Sequence, residues 1–209
     1  VASHISASSK VIDDKILFIT EGQSAISNLI NVRDTAIHGG FPLRGKPRNV
    51  RELKPTEIMK NKELSELMSI IGLQLGEPTD DLNYGQIGIL ADADFDGFSI
   101  AALLVNFFSN WKELFDDERI LLIKSPIVIA KKAKQIKRYY DLEDFKKDNL
   151  DNSWNIEYNK GLGSLSVEEY DLMINSPVTE ILKYDDLAND SLETAFGKNP
   201  IPRKKWLMK

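Results

Sequence analysis

The sequence contains no cysteine and only two histidines, His4 and His38, among its 209 residues. Without cysteine the chain has no disulfide, no thiolate nucleophile and no thiolate metal ligand, and two histidines are too few for a multi-histidine zinc site. No uncharged apolar run approaches the roughly 20 residues that a membrane-spanning helix requires. We therefore expect a cytoplasmic protein with no membrane partner.

Strong basic charge is also missing overall, because the net charge is −5 at pH 7. This value at first disfavours a nucleic-acid partner. The basic residues are clustered, however: five of them lie between residues 44 and 54, and further clusters lie at 131–138 and 203–205. A local basic cluster can bind phosphates even in an acidic protein, so the net charge alone does not exclude nucleic acid.

Apolar residues, at 42% of the chain, are numerous enough for a sizeable core, and their pattern alternates between strand and helix. The runs KILFIT (15–20) and QIGILA (86–91) are short and rich in β-branched residues, as buried strands are. In residues 56–71 and 98–115 the apolar residues have helical spacing, and each segment is predicted to form one helix. The segment 38–49 contains three glycines and two prolines, and is predicted to be a loop.

This order of elements predicts an α/β fold, with a parallel sheet and helices on both of its faces. Beyond residue 125 the pattern changes to a β-hairpin that turns near Ala133, followed by short helices and a further strand. We expect a flexible lead-in over residues 1–14, a core over about 15–125, and a smaller β-hairpin and helical extension over about 126–209.

Three aspartates at alternate positions follow the second predicted strand, in ILADADFDGF (89–98). An EF-hand calcium loop beginning at Asp92 needs glutamate at its twelfth position, where the sequence has Leu103. A phosphatase of the haloacid-dehalogenase type also places D-x-D after a strand, but Phe98 stands where threonine or valine is usual. A magnesium site for nucleic-acid chemistry and a plain acidic helix start, favoured by the helix dipole, both stay open.

A fourth carboxylate, Glu21, ends the first predicted strand. The carboxyl ends of parallel strands lie at the same edge of a sheet, so Glu21 can converge with Asp92 and Asp94 on one cation. Magnesium prefers hard oxygen ligands and keeps several waters, so two or three carboxylates and a phosphate oxygen suffice. Two such ions can stabilise the attacking and leaving oxygens of a phosphoryl transfer.

Longer motifs, in a consistent order, resemble those of the type IIA DNA topoisomerases over nearly the whole chain. The motifs are TEGQSA (20–25), FPLRGKPRNVRE (41–52), ILADADFDG (89–97), YNKGLGS (158–164), AFGK (195–198) and RKKWL (203–207). SPIVIA, KGLGS and RKKWL are most like the eukaryotic enzymes and the large subunit of the T4-like phage topoisomerase, in its C-terminal part. The resemblance implies a Toprim fold, which is a Rossmann-like parallel sheet.

The resemblance also implies roles for single residues. Glu21, Asp92 and Asp94 would be catalytic and would bind one or two Mg²⁺ ions, with Asp96 as a further metal ligand. The chain departs from the family pattern at Gln23, where aspartate is usual, and at Ser99, where histidine is usual. Neither position is an expected metal ligand. The residues implied to bind DNA are Arg44, Lys46, Arg48 and Lys160.

The family cleaves both DNA strands with a tyrosine nucleophile, and none of the six tyrosines lies in a context like that active site. We therefore expect double-stranded DNA and a tyrosine-bearing topoisomerase subunit as partners. ATP would bind only to an N-terminal ATPase domain outside this sequence, and the cytoplasm would be that of a host cell if a phage encodes the protein. The alternatives are a DNA-docking or assembly module without a working metal site, and a D-x-D phosphatase.

Overall fold

A computed structural model describes residues 4–208, which form a five-stranded sheet with a second, three-stranded sheet beside it. The strands are β1 (Ile16–Glu21), β2 (His38–Leu43), β3 (Gln86–Leu90), β4 (Ile120–Lys124), β5 (Val128–Lys132), β6 (Gln135–Tyr139), β7 (Asn155–Tyr158) and β8 (Val178–Ile181). The large sheet has the order β2-β1-β3-β4-β8. Its first four strands are parallel and β8 is antiparallel to β4.

Helices cover both faces of this sheet, which confirms the predicted α/β class. The helices are α1 (Gly22–Val32), α2 (Pro55–Met59), α3 (Lys62–Ile71), α4 (Phe95–Phe108), α5 (Glu113–Asp116), α6 (Leu142–Asp148), α7 (Val167–Asn175), α8 (Ala188–Phe196) and α9 (Pro200–Leu207), with a 3-10 turn at Leu162–Ser164. None of the helices in the described part of the chain has the length and apolar character needed to cross a membrane.

Strand β1 shows why both faces are covered. Its side chains alternate in direction, so Leu17 and Ile19 pack with α3 and α4, whereas Phe18 packs with α1 and α7. All three side chains are almost completely buried. A parallel strand covered on both faces becomes a continuous apolar run, which is the pattern that predicted this strand.

Strand β2 corrects the prediction that residues 38–49 form a loop. Glycine and proline are disfavoured in strands, but β2 lies at the edge of the sheet, where proline is tolerated. Two glycines are present in β2 because neighbouring side chains occupy the space that larger residues would need. A Cβ on Gly39 would overlap the ring of Tyr84, and one on Gly40 would lie 2.5 Å from Cδ1 of Ile26.

Both of the long helices predicted from the sequence also differ from the structure. The segment 56–71 is two helices and not one, because the side chain of Asn61 accepts a hydrogen bond from the backbone N–H of Leu64 and so starts α3 anew. The predicted end of that segment is confirmed, since Gly72 caps α3 with φ +94°. The segment 98–115 is also two helices and not one: α4 begins at Phe95, three residues before the predicted start, and ends at Phe108, and α5 follows at Glu113–Asp116.

The small sheet has the order β6-β5-β7, and its first hairpin turns at Ala133 as predicted. It is joined to the large sheet by a bidentate ion pair in which Arg138 of β6 donates to both carboxylate oxygens of Glu169 on α7, at 2.6 and 2.8 Å. The Glu169 side chain is 7% exposed. Residues 1–3 of the predicted lead-in lie outside the described residues. Within the rest of the lead-in, Ile5 pairs with Gly40 of β2. The predicted boundary between core and extension near residue 125 stays a prediction.

We predict that Arg138→Ala lowers the free energy of unfolding by about 2–3 kcal/mol, because it leaves the buried Glu169 carboxylate without its charged partner. The cost stays below that of a fully buried pair because Arg138 is itself partly exposed. Urea unfolding measures the change. The control is Lys147→Ala, which removes an exposed ion pair to Asp144 and should leave stability close to wild type. Equal stability of the two variants would contradict the prediction.

Candidate metal and DNA site

The acidic residues lie together at the carboxyl edge of the large sheet. Strands β1 and β3 are parallel neighbours with Thr20 beside Leu90, so Glu21 at the end of β1 lies next to the loop that follows β3. Asp92 is partly buried in that loop, whereas Asp94 and Asp96 are exposed. The parallel register thus brings together side chains that are about seventy positions apart in the sequence.

Backbone N–H groups hold two of these carboxylates. Asp92 Oδ1 accepts a hydrogen bond from the N–H of Leu162 at 2.7 Å. Asp94 Oδ1 accepts one from the N–H of Gly97 at 2.8 Å, and so caps α4. Each carboxylate is therefore oriented through one of its oxygens.

Glu21 is the acid whose environment most calls for a cation. Its Oε2 atom is buried without a hydrogen-bond partner. Burial raises the pKa of the Glu21 carboxyl, and the negative charges of Asp92, Asp94 and Asp96 raise this pKa further; a hydrogen bond from the Asp92 backbone acts in the opposite direction. A cation at this edge would offset both the lost hydration and the repulsion, so the donor set fits a metal ion.

The acids do not form a ready-made cage for a metal ion. Within residues 4–208, no three acidic or histidine side chains are close enough together to make a complete metal-binding group. Carboxylate oxygens are nevertheless the kind of ligand that Mg²⁺ prefers, and Mg²⁺ keeps several waters and commonly uses one or two carboxylates together with phosphate oxygens.

Basic side chains border the acids. Lys46 Nζ forms an ion pair with Asp96 Oδ1 at 2.7 Å, with both side chains largely exposed. Arg44 lines one cavity with Glu21 and Gln23. Lys160 is exposed and directly precedes Gly161, which lies against the Asp92 carboxylate. Arg48, predicted with them, is exposed in the same loop, and no contact joins it to the acids.

Arg51, in the basic cluster at residues 44–54, contacts helix α8. The Arg51 guanidinium donates a hydrogen bond to the Glu193 carboxylate on α8 at 3.1 Å. It donates a second one to the side-chain oxygen of Asn189 on the same helix. Asn49 donates to the backbone carbonyl of Phe196 at 2.7 Å and accepts from Asn106 at 3.0 Å. These contacts fix the loop that carries Arg44, Lys46 and Arg48 between α4 and α8. Asn106 is a residue that the sequence reasoning missed; a buried asparagine in an otherwise apolar helix was its only signal.

The second basic cluster, at 131–138, is largely neutralised within the small sheet. Its ion pairs are Lys131 with Glu157, Lys132 with Asp151, Lys137 with Asp148, and Arg138 with Glu169. These basic side chains are paired with acidic side chains of the small sheet and its neighbours. The basic residues beside the acidic edge are therefore the better candidates for contacts with phosphate.

Three of the chain's six tyrosines are held in the core by hydrogen bonds. Tyr170 is buried and donates a hydrogen bond to the carbonyl of Ala25 at 2.9 Å. Burial, helped by the charge of Asp92, raises its pKa far above the usual range. Tyr84 and Tyr139 are also buried and hydrogen-bonded, to His4 and Asp148. These three side chains are parts of the core packing.

The fold of the chain is similar to that of a solved type II topoisomerase domain. The crystal structure of the topoisomerase II DNA-binding, cleavage and re-ligation domain of Plasmodium falciparum superposes with a TM-score of 0.86 and 27% sequence identity. The superposition covers 99% of this chain and 31% of that one. No family model matches the chain.

Curated relatives agree. A DNA topoisomerase 4 subunit of Borreliella burgdorferi is 32% identical over 213 residues, which cover 98% of this chain and 35% of the relative. Human DNA topoisomerase 2-beta is 37% identical over 209 residues, which cover 91% of this chain and 13% of the relative. The chain is thus homologous to a region of the type II DNA topoisomerases, and it spans 35% or less of the length of these two relatives. The likeness to a T4-like phage large subunit stays a prediction.

We predict that Glu21→Gln stabilises the fold at pH 7 when EDTA removes divalent cations. The folded protein raises the pKa of Glu21, so its charged form opposes folding, and this penalty grows as the pH rises above the ordinary value of 4.5. Below that pH the variant and the wild type should unfold alike. The amide keeps an oxygen that can accept the Asp92 N–H.

Thermal unfolding at a series of pH values measures this difference, with the exposed Glu77→Gln as the control for simple loss of a surface charge. A Glu21→Gln variant that is less stable than wild type at pH 7 without divalent cations would show that the repulsion at this edge is already balanced within the protein.

Proposed function

We propose that this chain is the Mg²⁺-binding Toprim part of a type II DNA topoisomerase, and that it supports cleavage and religation of double-stranded DNA. The observation that carries the proposal is the buried, unpartnered Oε2 of Glu21 beside three aspartates at the edge of a parallel sheet. Homology to type II topoisomerases supports the reaction class. The whole enzyme's activity would need parts outside this chain.

In this proposal Glu21, Asp92 and Asp94 hold one or two Mg²⁺ ions, and Asp96 is a further ligand. When bound, Mg²⁺ would supply positive charge to the oxygens of the phosphate at the DNA break. Asp92 and Asp94 are prepared for this role because backbone N–H groups already orient them. Glu21 is prepared by its half-buried position, which disfavours its charged form until a cation is near.

The basic residues beside the acids would bind the DNA backbone: Arg44, Lys46, Arg48 and Lys160. Lys46 already lies at the acidic loop through its ion pair with Asp96. Because both side chains of this pair are exposed, the pair contributes little, and a DNA phosphate can compete for Lys46. Contacts of this kind hold the phosphate in place and depend on salt, but they do not read base sequence.

The nucleophile would come from a tyrosine-bearing partner subunit, because none of the chain's six tyrosines lies in a sequence context like that of the family's active site. ATP would be bound by an N-terminal ATPase domain of the same protein, outside this sequence. We propose the subunit division of the T4-like phage enzymes, with the complex working in the cytoplasm of the host cell. This part of the proposal rests on the sequence motifs and not on the geometry of the site.

We predict that Asp92→Ala and Glu21→Ala each reduce Mg²⁺-dependent DNA cleavage by roughly 100-fold or more, because each removes a charge that stabilises the reacting phosphate. The assay mixes the chain with the tyrosine-bearing subunit and plasmid DNA, with and without Mg²⁺, and traps the cleaved complex with detergent. Asp80→Asn, an exposed acid away from the edge, is the control.

Near-wild-type cleavage by both variants would mean that the acids are not a working metal site, and would favour a DNA-docking or assembly module. Turnover of a small phosphoester by the chain alone, lost in Asp92→Ala, would instead favour the phosphatase alternative. Circular dichroism of each variant checks that a loss of cleavage is not a loss of fold.

We predict that Lys46→Ala and Arg44→Ala weaken DNA binding and reduce its salt dependence. Each lost phosphate contact should lower the slope of log K against log salt concentration by roughly 0.9. Fluorescence anisotropy with a labelled duplex at several salt concentrations measures the slope. Lys137→Ala is the matched control, because Lys137 is paired with Asp148 in the small sheet. If it lowers the slope as much as Lys46→Ala does, the DNA lies elsewhere.

A further inference from the structure

The backbone turn formed by residues 161–164, here called the Gly161 turn, lies against the Asp92 carboxylate. The N–H of Leu162 donates to Oδ1 at 2.7 Å. A Cβ on Gly161 would lie 2.5 Å from Oδ2, 2.8 Å from Cγ and 3.0 Å from Oδ1 of Asp92. One oxygen is therefore held by a hydrogen bond, and the carboxylate fills the space that a side chain at position 161 would need.

The turn is itself anchored, so it can impose an orientation. The Leu162 side chain is 2% exposed and packs in the cluster with Phe18 and Tyr170. The Ser164 hydroxyl donates to the carbonyl of Gly161 at 2.7 Å. The preceding Asn159 donates through its side chain to the carbonyl of Pro126 at 2.9 Å. The turn is thus held both by the helix-covered face of the large sheet and by the start of the small sheet.

From this geometry we infer that Gly161 and Leu162 are positioning residues for Asp92: the turn fixes the orientation in which the carboxylate is presented to the metal. The inference rests on the proposed role of Asp92 as a Mg²⁺ ligand. A hydrogen bond from a backbone N–H to a carboxylate is charge-assisted, and is therefore among the stronger ones. Groups that orient a metal ligand in this way commonly affect metal affinity by about 10–100-fold when they are lost.

Asp92 has few other ways to reach this orientation. A Cβ on Gly97 would overlap its backbone carbonyl, so the main chain of Asp92 is enclosed by α4 on one side while its side chain meets the Gly161 turn on the other. The two glycines act on different parts of the same residue. Gly97 allows the loop to enter α4, and Gly161 allows the carboxylate to reach the N–H of Leu162.

The test compares Gly161→Ala with Gly163→Ala in the full 209-residue chain. Both changes add one methyl group to the same turn, but a Cβ on Gly163 would meet nothing within 4 Å. We expect Gly161→Ala to weaken binding of Mg²⁺, or of Mn²⁺ as a paramagnetic probe, by about 10–100-fold. Gly163→Ala should bind as wild type does. NMR titration of the amide signals near residues 21 and 92 measures the affinity without any need for cleavage.

A folded Gly161→Ala variant with wild-type metal affinity would overturn the inference. A second measurement decides the matter if Gly161→Ala does not fold: the Leu162 amide of the wild type should exchange slowly with solvent, and markedly faster in Asp92→Ala. Equal exchange rates would also overturn the inference. If the wild type binds neither metal, the proposed function fails instead, and the amide exchange still tests whether the turn holds Asp92.

Discussion

The placing of a half-buried glutamate beside three aspartates at one edge of a parallel sheet is the constraint around which this site is built. The parallel register of β1 and β3 sets Glu21 beside the acidic loop, and the charges of Asp92, Asp94 and Asp96 raise the pKa of Glu21 in addition to the effect of its burial. Such a cluster weakens the fold by itself. The surrounding elements are arranged to hold these charges in place and not to separate them.

Distant parts of the chain meet to hold this edge. The N-terminus of α4 and the Gly161 turn each supply a backbone N–H to one aspartate, and Lys46 supplies a positive charge to Asp96. The Lys46 loop is fixed by α8 through Asn49 and Arg51, and the small sheet is fixed to α7 through Arg138. Much of what lies beyond the central strands thus serves to place groups around four carboxylates.

The sequence predicted those features that depend on local pattern. The strand KILFIT was found because buried parallel strands form nearly continuous apolar runs. The end of α3 was found because a glycine that follows a helical pattern, here Gly72, commonly ends a helix. Strand β2 was missed because its glycines are explained only by Tyr84 and Ile26, which pack against them from other elements. The hydrogen bond from Leu162 to Asp92 joins residues 70 positions apart, and no periodicity reveals such a contact.

The balance of charge at the edge links the two ligands of the proposed function. A bare acidic edge repels DNA, and the basic loop alone cannot offset four carboxylates, since Lys46 is engaged by Asp96 and Arg51 by α8. In the proposed function a bound divalent cation would change this balance in two ways, because it would neutralise carboxylates and compete with Lys46 for Asp96. Lys46 would then be available to a phosphate. Metal binding and DNA binding at this site are therefore expected to strengthen each other, and by thermodynamic linkage the effect must be reciprocal.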